Sequence, residues 1–559
     1  MIYNLINFLI NFLIFKTFNV KSQILKAIGS VGLILGTMIP SFGQTNGASC
    51  GCPAVRTVVS FSTLTDANGN MLNANTVLTC DKTYTLHNKV YVGNGQTLTI
   101  APGTIIKGAA DTDPAPTTSN GGALTVSRGA KLFAAGTESC PIIFTAVADN
   151  VDGTFPITNK GLWGGVIVLG KATNNLTTSN ILIAPGGING VGRIEGFASP
   201  EPRIYYGAGD ASFPTFDDND NSGVMTYVSI RHGGEVIGAN NEINGLTLGS
   251  VGRGTTLHHI EVVSNLDDGI EFFGGTVDLK YATVLFNDDD GFDWDQNWSG
   301  RGQFWVHIKT DMTTAAGGDN GFESDGDDDK INSANQSNPV VYNSTLIGSI
   351  GQNGNPAPSA GSVHGAAIRA KEQTLGTARN SVFANYGRGL RLDDDNTRPG
   401  SIDAYDNWVA GTLKVECNTF VGVITPLLQG STAITTGPDF TKFTVTDQNV
   451  IVASLVGFDP ALELNAGRTA TTKTMDLIPT SNVATTCPVA PIAGAFFTPA
   501  NYRGAFESGK KSWLSNYTVN ALLDFENGLV PCATDANADG STNASDLNLL
   551  LGQFGIGCD

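Results

Sequence analysis

The chain has 559 residues with 68 glycines, 41% hydrophobic and only 15% charged residues, a composition of many short strands and turns rather than of helices or disorder. Its formal charge of −19 excludes nucleic acid and anionic lipid as partners and favours divalent cations and neutral or cationic ligands. The length would hold roughly three or four ordinary domains, yet an elongated repeat fold absorbs it as one unit.

At the N terminus, residues 21–43 run from Lys21 and Lys26 through a short apolar stretch to Pro40, Ser41 and Gly43, the layout of a secretory leader cleaved after Gly43. The apolar stretch at residues 2–15 offers two other readings, a membrane anchor or an initiation codon assigned too far upstream. Residues 1–43 are assigned to a signal peptide, which places the protein outside the cell or on the outer cell surface, with outer-membrane association as one form of that placement. Eight cysteines (50, 52, 80, 140, 417, 487, 532 and 558) in an exported chain read as disulfides. Cys532 and Cys558 bracket the C-terminal motif and are the pair expected.

Residues 44–85 are assigned to an N-terminal cap and residues 86–515 to a strand solenoid. Apolar β-formers recur in runs of a few residues between glycines, starting at Val90, Ala123, Trp163 and Met225. In the middle of the chain a motif of small, apolar, polar, apolar, polar begins at Gly245, Gly269, Gly291, Gly321, Ala367 and Gly389. A repeat of about 22 to 24 residues, twice lengthened by insertions, specifies an all-β fold, a right-handed parallel β-helix of roughly 15 rungs. Because side chains two apart share a face, two columns point inward. One is Leu246, Ile270, Phe292, Phe322, Ile368 and Leu390; the other is Leu248, Phe272, Trp294, Ser324, Ala370 and Leu392.

Between them lies an outward column: Thr247, Glu271, Asp293, Glu323, Arg369 and Arg391. The next outward position reads Gly249, Phe273, Asp295, Asp325, Lys371 and Asp393, and the position before the small residue reads Asn244, Asp268, Asp290, Asn320, Ala366 and Arg388. Stacked strands lie about 4.8 Å apart, so like charges one rung apart repel by about 3 to 4 kcal/mol at an effective dielectric near 20. Such a ladder needs compensation, and three readings are open. Calcium is held by Asp268, Glu271, Asp290, Asp293, Asp295, Glu323 and Asp325, since carboxylates are its preferred ligands. Alternatively, Arg369, Arg391 and Lys371 balance the ladder in a structural network. In the third reading Asp290, Asp293 and Asp295 are catalytic carboxylates, with Arg369 or Lys371 as base or anion clamp in a polysaccharide lyase or glycoside hydrolase acting on acidic glycans.

The insertions near residues 296–318 and 326–363 are expected to wall a groove beside the ladder, with Trp298, Trp305, His307 and His364 lining a sugar site. His258 and His259, adjacent on a strand, are expected on opposite faces and so cannot share a metal.

The segments Trp163-Gly-Gly-Val-Ile-Val-Leu-Gly170, Asn241-Glu-Ile-Asn-Gly-Leu-Thr-Leu-Gly249, Asp267-Asp-Gly-Ile-Glu-Phe-Phe-Gly-Gly275 and Tyr502-Arg-Gly-Ala-Phe506 resemble those of exported, pectin-lyase-like β-helix proteins of Gram-negative environmental bacteria. The resemblance covers roughly residues 75–515. It implies the β-helix fold and extracellular or outer-surface placement, and it implies no catalytic residues. The ordered acidic, Gly-His-Gly and Arg-x-Lys motifs of polygalacturonase-like hydrolases are not found. The function expected is a binding or adhesion protein recognising carbohydrate, with the glycan-cleaving enzyme as first alternative and a structural surface component as second.

Beyond a linker at 516–530, Asp535, Asn537, Asp539, Asn543 and Asp546 occupy positions 1, 3, 5, 9 and 12 of an EF-hand loop, with Gly540 at the sharp turn and the Ser541 carbonyl at position 7. Asp546, with Leu547, Leu550, Leu551 and Phe554 at helical spacing behind it, resembles a type I dockerin repeat over residues 531–559. Dockerins pair two repeats to build a cohesin-binding face. A single repeat reads rather as a disulfide-pinned calcium staple, with cohesin docking as the alternative.

Overall fold

The structure, a computed structural model, describes residues 50–67, 71–111, 121–195, 197, 201–238, 241–309, 320–326, 335–350, 365–394, 402–464, 471–473, 475–487, 496–514 and 517–518. The expected leader, the expected C-terminal calcium repeat with Cys532 and Cys558, and His364 lie outside the described residues.

The chain winds as a parallel coil. On one side the strands Lys89–Val92, Ala123–Val126, Val166–Leu169, Leu246–Val251, Ile270–Gly275, Phe292–Asp295, Phe322–Ser324, Ala366–Ala370, Arg388–Leu392 and Thr425–Gln429 stack in parallel, each on the next. A short antiparallel strand, Thr432–Ala433, ends this sheet. The register is the expected one: Leu246 aligns with Ile270, Phe292, Phe322, Ile368 and Leu390. Among the described residues the coil is shorter than the 15 rungs expected. Residues 170–222 form an insertion with its own antiparallel pair, Val191–Arg193 against Tyr205–Gly207, and no described parallel strand follows Val450–Val452.

The column of small residues has a steric cause. A Cβ on Gly269 would lie 2.2 Å from Val284 Cγ1 and 2.6 Å from the Gly291 carbonyl of the next coil, and Gly245 meets Val262 and Gly269 in the same way. Glycine there lets each coil settle onto its neighbour at β-sheet spacing.

On the other sides, the long strands Gly223–Arg231, Thr256–Val263, Leu279–Leu285 and Arg301–Ile308 stack in parallel and bend in the middle. The bend falls at Tyr227, His259, Tyr281 and Phe304, whose φ angles are 50, 54, 58 and 60°. The pairing steps over these residues, so one strand serves two sides of the coil. A left-handed non-glycine residue costs about 1–2 kcal/mol. The four rings stack outside the coil with centroids 4.3, 4.4 and 5.2 Å apart, and each aromatic contact returns about 0.5–1.5 kcal/mol, enough to offset much of the bend. The same corner continues through Asn343, Asn380, Cys417 and Gln448, all with positive φ.

The bend also resets the in-and-out alternation. Trp305 and His307, which follow it, point into the coil, as does Trp298, and all three are fully buried instead of lining a groove. Trp298 Nε1 donates to the Val277 carbonyl and Trp305 Nε1 to the Leu279 carbonyl, while His307 lies 3.0 Å from both Tyr386 Oη and Asn287 Oδ1. The rings of Trp298 and Trp305 stack with inward Phe272 and Phe292 at 4.1 and 4.4 Å, forming an aromatic centre to the core.

The Tyr502–Phe506 motif clamps the C-terminal segment onto the bend corner. Asn343 Nδ2 donates to the Tyr502 carbonyl, Arg503 Nη1 to the Asn418 carbonyl and Gly504 N to the Asn380 carbonyl, at 2.8, 2.7 and 2.8 Å. Disulfides join Cys50 to Cys140, Cys52 to Cys80 and Cys417 to Cys487, the last tying this corner to the returning segment.

A candidate cation site on the acid-bearing sheet

Glu271, Asp293, Glu323, Arg369 and Arg391 occupy successive positions of the outward column, as expected. The downstream part is closed by ion pairs. Glu323 meets Arg369 at 2.8 Å and Lys371 at 2.9 Å, Asp325 meets Lys371 at 2.7 Å, and Asp393 meets Arg391 at 3.2 Å and Arg369 at 3.4 Å. Burial depresses the Lys371 ammonium, but Asp325, Glu323 and Asp293 overcome it and hold it above its ordinary value. Arg369 and Lys371, the expected base or clamp, are therefore engaged by carboxylates.

The upstream part has no such partners. Carboxylate oxygens of Asp268, Glu271 and Asp293 lie within 4.8 Å of one another, and so do those of Asp267, Asp268 and Asp289, the two triads sharing Asp268. Among the described residues, Asp267, Asp268, Glu271 and Asp293 form no ion pair with lysine or arginine. Asp293 Oδ1 and Asn244 Oδ1 are buried without a hydrogen-bond partner, while Asn244 Nδ2 donates to Glu271 Oε2.

Burial first, and then crowding by like charge, pushes the carboxyls of Asp268, Glu271 and Asp293 well above the usual range. For Asp267, burial followed by Asp289, Glu195 and Glu242 raises the value to about 8. Burial also raises Asp325, to about 7, although Lys371 opposes it.

Asp290 and Asp295 fall outside both triads. The column before the small residue works as a side-chain-to-backbone ladder: Asp268 Oδ1 accepts from Asp290 N at 2.8 Å, Asp290 Oδ1 accepts from Asn320 N, and Asn320 Oδ1 accepts from Ala366 N at 2.9 Å. Asp290, held by that bond, is also pushed well above its ordinary value by burial and by Glu323 and Asp289. Asp295 ends its strand with Oδ1 accepting from Gln296 N.

Oxygen ligands stand about 2.3–2.6 Å from a calcium ion, so two of them on opposite sides are about 5 Å apart. The triads fit around a hard divalent cation on that measure, and the partnerless Asp293 oxygen is a ready ligand. Asp267 and Asp289 were not expected among the ligands. They sit in turns, one residue before Asp268 and Asp290, and their signal was a separation equal to that of Gly269 and Gly291.

His258 and His259 do not point to opposite faces. The positive φ of His259 swings its ring back, and the two Nδ1 atoms lie 2.9 Å apart. Burial, then His258 and Lys280, holds His259 down to about 3. Among the described residues no third His, Cys, Asp or Glu joins them in a metal-ligating group.

A long parallel coil carrying clustered carboxylates on one sheet defines the class: a β-helix with a candidate cation site on its side. The family model of the pectate-lyase-like β-helix domain matches residues 69–454, and the chain belongs to that family. No curated protein and no solved structure gives a match. No described helix is long and apolar enough to cross a membrane.

Proposed function

We propose that the protein is an extracellular, calcium-binding β-helix that recognises polysaccharide along its acid-bearing sheet. The observation that carries this reading is the contrast along one sheet, where Glu323 and Asp325 have arginine and lysine partners while Asp268, Glu271 and Asp293 cluster with no lysine or arginine against them among the described residues. A divalent cation relieves that crowding, and a cation held at the surface of a sheet is a natural bridge to glycan carboxylates and hydroxyls. The family and the three disulfides support a carbohydrate-related role outside the cell. Binding is favoured over cleavage, because Arg369 and Lys371 are tied to Glu323, Asp325 and Asp393. The loop from Asp535 to Asp546 is proposed as a second calcium site that staples the C terminus.

Calorimetry on the full chain, with Asp535→Ala and Asp539→Ala silencing the C-terminal loop, tests the ladder by itself. Calcium binding is expected, together with calcium-dependent retention of polygalacturonate, and both are lost in Asp268→Asn/Asp293→Asn. No heat of binding and a melt indifferent to chelator would sink the proposal.

A further inference from the structure

A second site lies away from the acid-bearing sheet, at the bend corner. The C-terminal segment returns across the ring stack and leaves a cavity of about 230 Å³. Its walls are Tyr281, Phe304, Phe506 and Trp513, and these rings are set before any ligand arrives. Trp513 Nε1 donates to the Ala505 carbonyl at 3.0 Å, its ring stacks on Phe506 at 5.8 Å, and Tyr281 lies between Phe304 and His259 in the corner stack. At the rim stand Lys510 and Lys511 against one carboxylate, Glu507. Lys511 reaches Glu138 at 3.1 Å across exposed surface, and Lys510 has no ion-pair partner among the described residues.

We infer that this cavity binds a single acidic sugar ring, a uronic acid residue at the end or branch of a glycan. The volume lies below the range of drug-sized pockets and suits one ring. Aromatic walls present flat apolar faces to the C–H face of a pyranose, and the ammonium of Lys510 answers a carboxylate. Lys280, whose ammonium donates to the lining Thr498 Oγ1 at 2.6 Å, makes three lysines against Glu507 and Glu138, and on a chain of net charge −19 this local excess disfavours a cationic ligand. The site uses no residue of the acidic triads, so its binding is independent of calcium.

Tryptophan emission reads the site directly. Of the six tryptophans, Trp163, Trp294, Trp298, Trp305 and Trp408 are buried, and Trp513 is partly exposed. Titration of the full chain with glucuronate in chelator is expected to give a saturable emission change. Lys510→Gln, a substitution on the surface, should weaken the affinity about fivefold, roughly 1 kcal/mol, and bring it toward that for glucose. Trp513→Phe should remove the signal while competition by glucuronate against a labelled glycan persists. Three results would each overturn the inference: no saturable change with glucuronate, an affinity indifferent to Lys510→Gln, or binding of benzoate in preference to glucuronate. Loss of glucuronate binding in chelator with its return in calcium would also overturn it, assigning the sugar to the acid-bearing sheet instead.

Discussion

The coils carrying Asp268, Glu271 and Asp293 and the coils carrying Glu323 and Asp325 share one sheet, one register and the same outward direction. They differ in what the following coils supply. Glu323 and Asp325 are followed by Arg369 and Lys371, and the negative charge is closed inside the protein. Upstream, Asp268 is preceded by Asn244 and followed by Asp290, so neutralisation has to come from protons or from a cation in solution. A stacked ladder makes a structural network or an ion site from the same geometry, and the identity of one residue per rung decides which.

The largest expected effect breaks the closed half. Lys371→Met removes the cation shared by Glu323 and Asp325 and leaves buried carboxylates uncompensated, a loss of about 3 kcal/mol by urea denaturation. Calcium is expected to recover part of that loss, because the downstream half then resembles the upstream one. A melt unaffected by calcium in this variant would show that the two halves differ in more than charge.

Next in size is the pH dependence of the chelated protein. Asp267 is held up to about 8 in the fold, against about 3.9 in an unfolded chain. Across that window the native state keeps a proton that the unfolded state has lost, so stability falls as pH rises from about 4 to about 8. Calcium should flatten the fall, and thermal melts at both ends of the window with and without chelator measure it. Asp293→Asn follows, with opposite sign to any break in the downstream half: in chelator it relieves crowding and stabilises by about 1 kcal/mol, whereas Glu323→Gln destabilises.

The register of the acid-bearing sheet was legible because its strands are short and unbent over the aligned residues, so a period of two and a column of small residues set the inward and outward positions of each strand between Gly245 and Leu392. What failed to show was any position beyond a left-handed corner. A single residue at φ near 54° reverses the alternation, and while histidine tolerates such a conformation more readily than most, Tyr281 and Phe304 belong to types that do not announce the bend. That is why the imidazoles of His258 and His259 meet and why Trp305 and His307 lie in the core. Asp267 and Asp289 escaped for another reason: turn acids are common, and only the stacking of successive turns brings these two beside Asp268. The Tyr502–Phe506 motif was visible as a motif, but its partners, Asn343, Asn380 and Asn418, are more than 80 residues away in the chain.

The smallest expected effect tests where the closed network ends. Arg391 contacts Asp393 at 3.2 Å, but its side chain is 28% exposed and Arg369 also reaches Asp393. Arg391→Gln should therefore cost no more than about 0.5 kcal/mol, since water and Arg369 take over the carboxylate. Arg369→Gln in the same background should cost more than it does alone, because Asp393 then loses its second cation and Glu323 is left to Lys371. A double-mutant cycle by urea denaturation reads the difference as a coupling energy. Strict additivity would mean that Asp393 stands outside the network, and the closed half would shrink to Glu323, Asp325, Arg369 and Lys371.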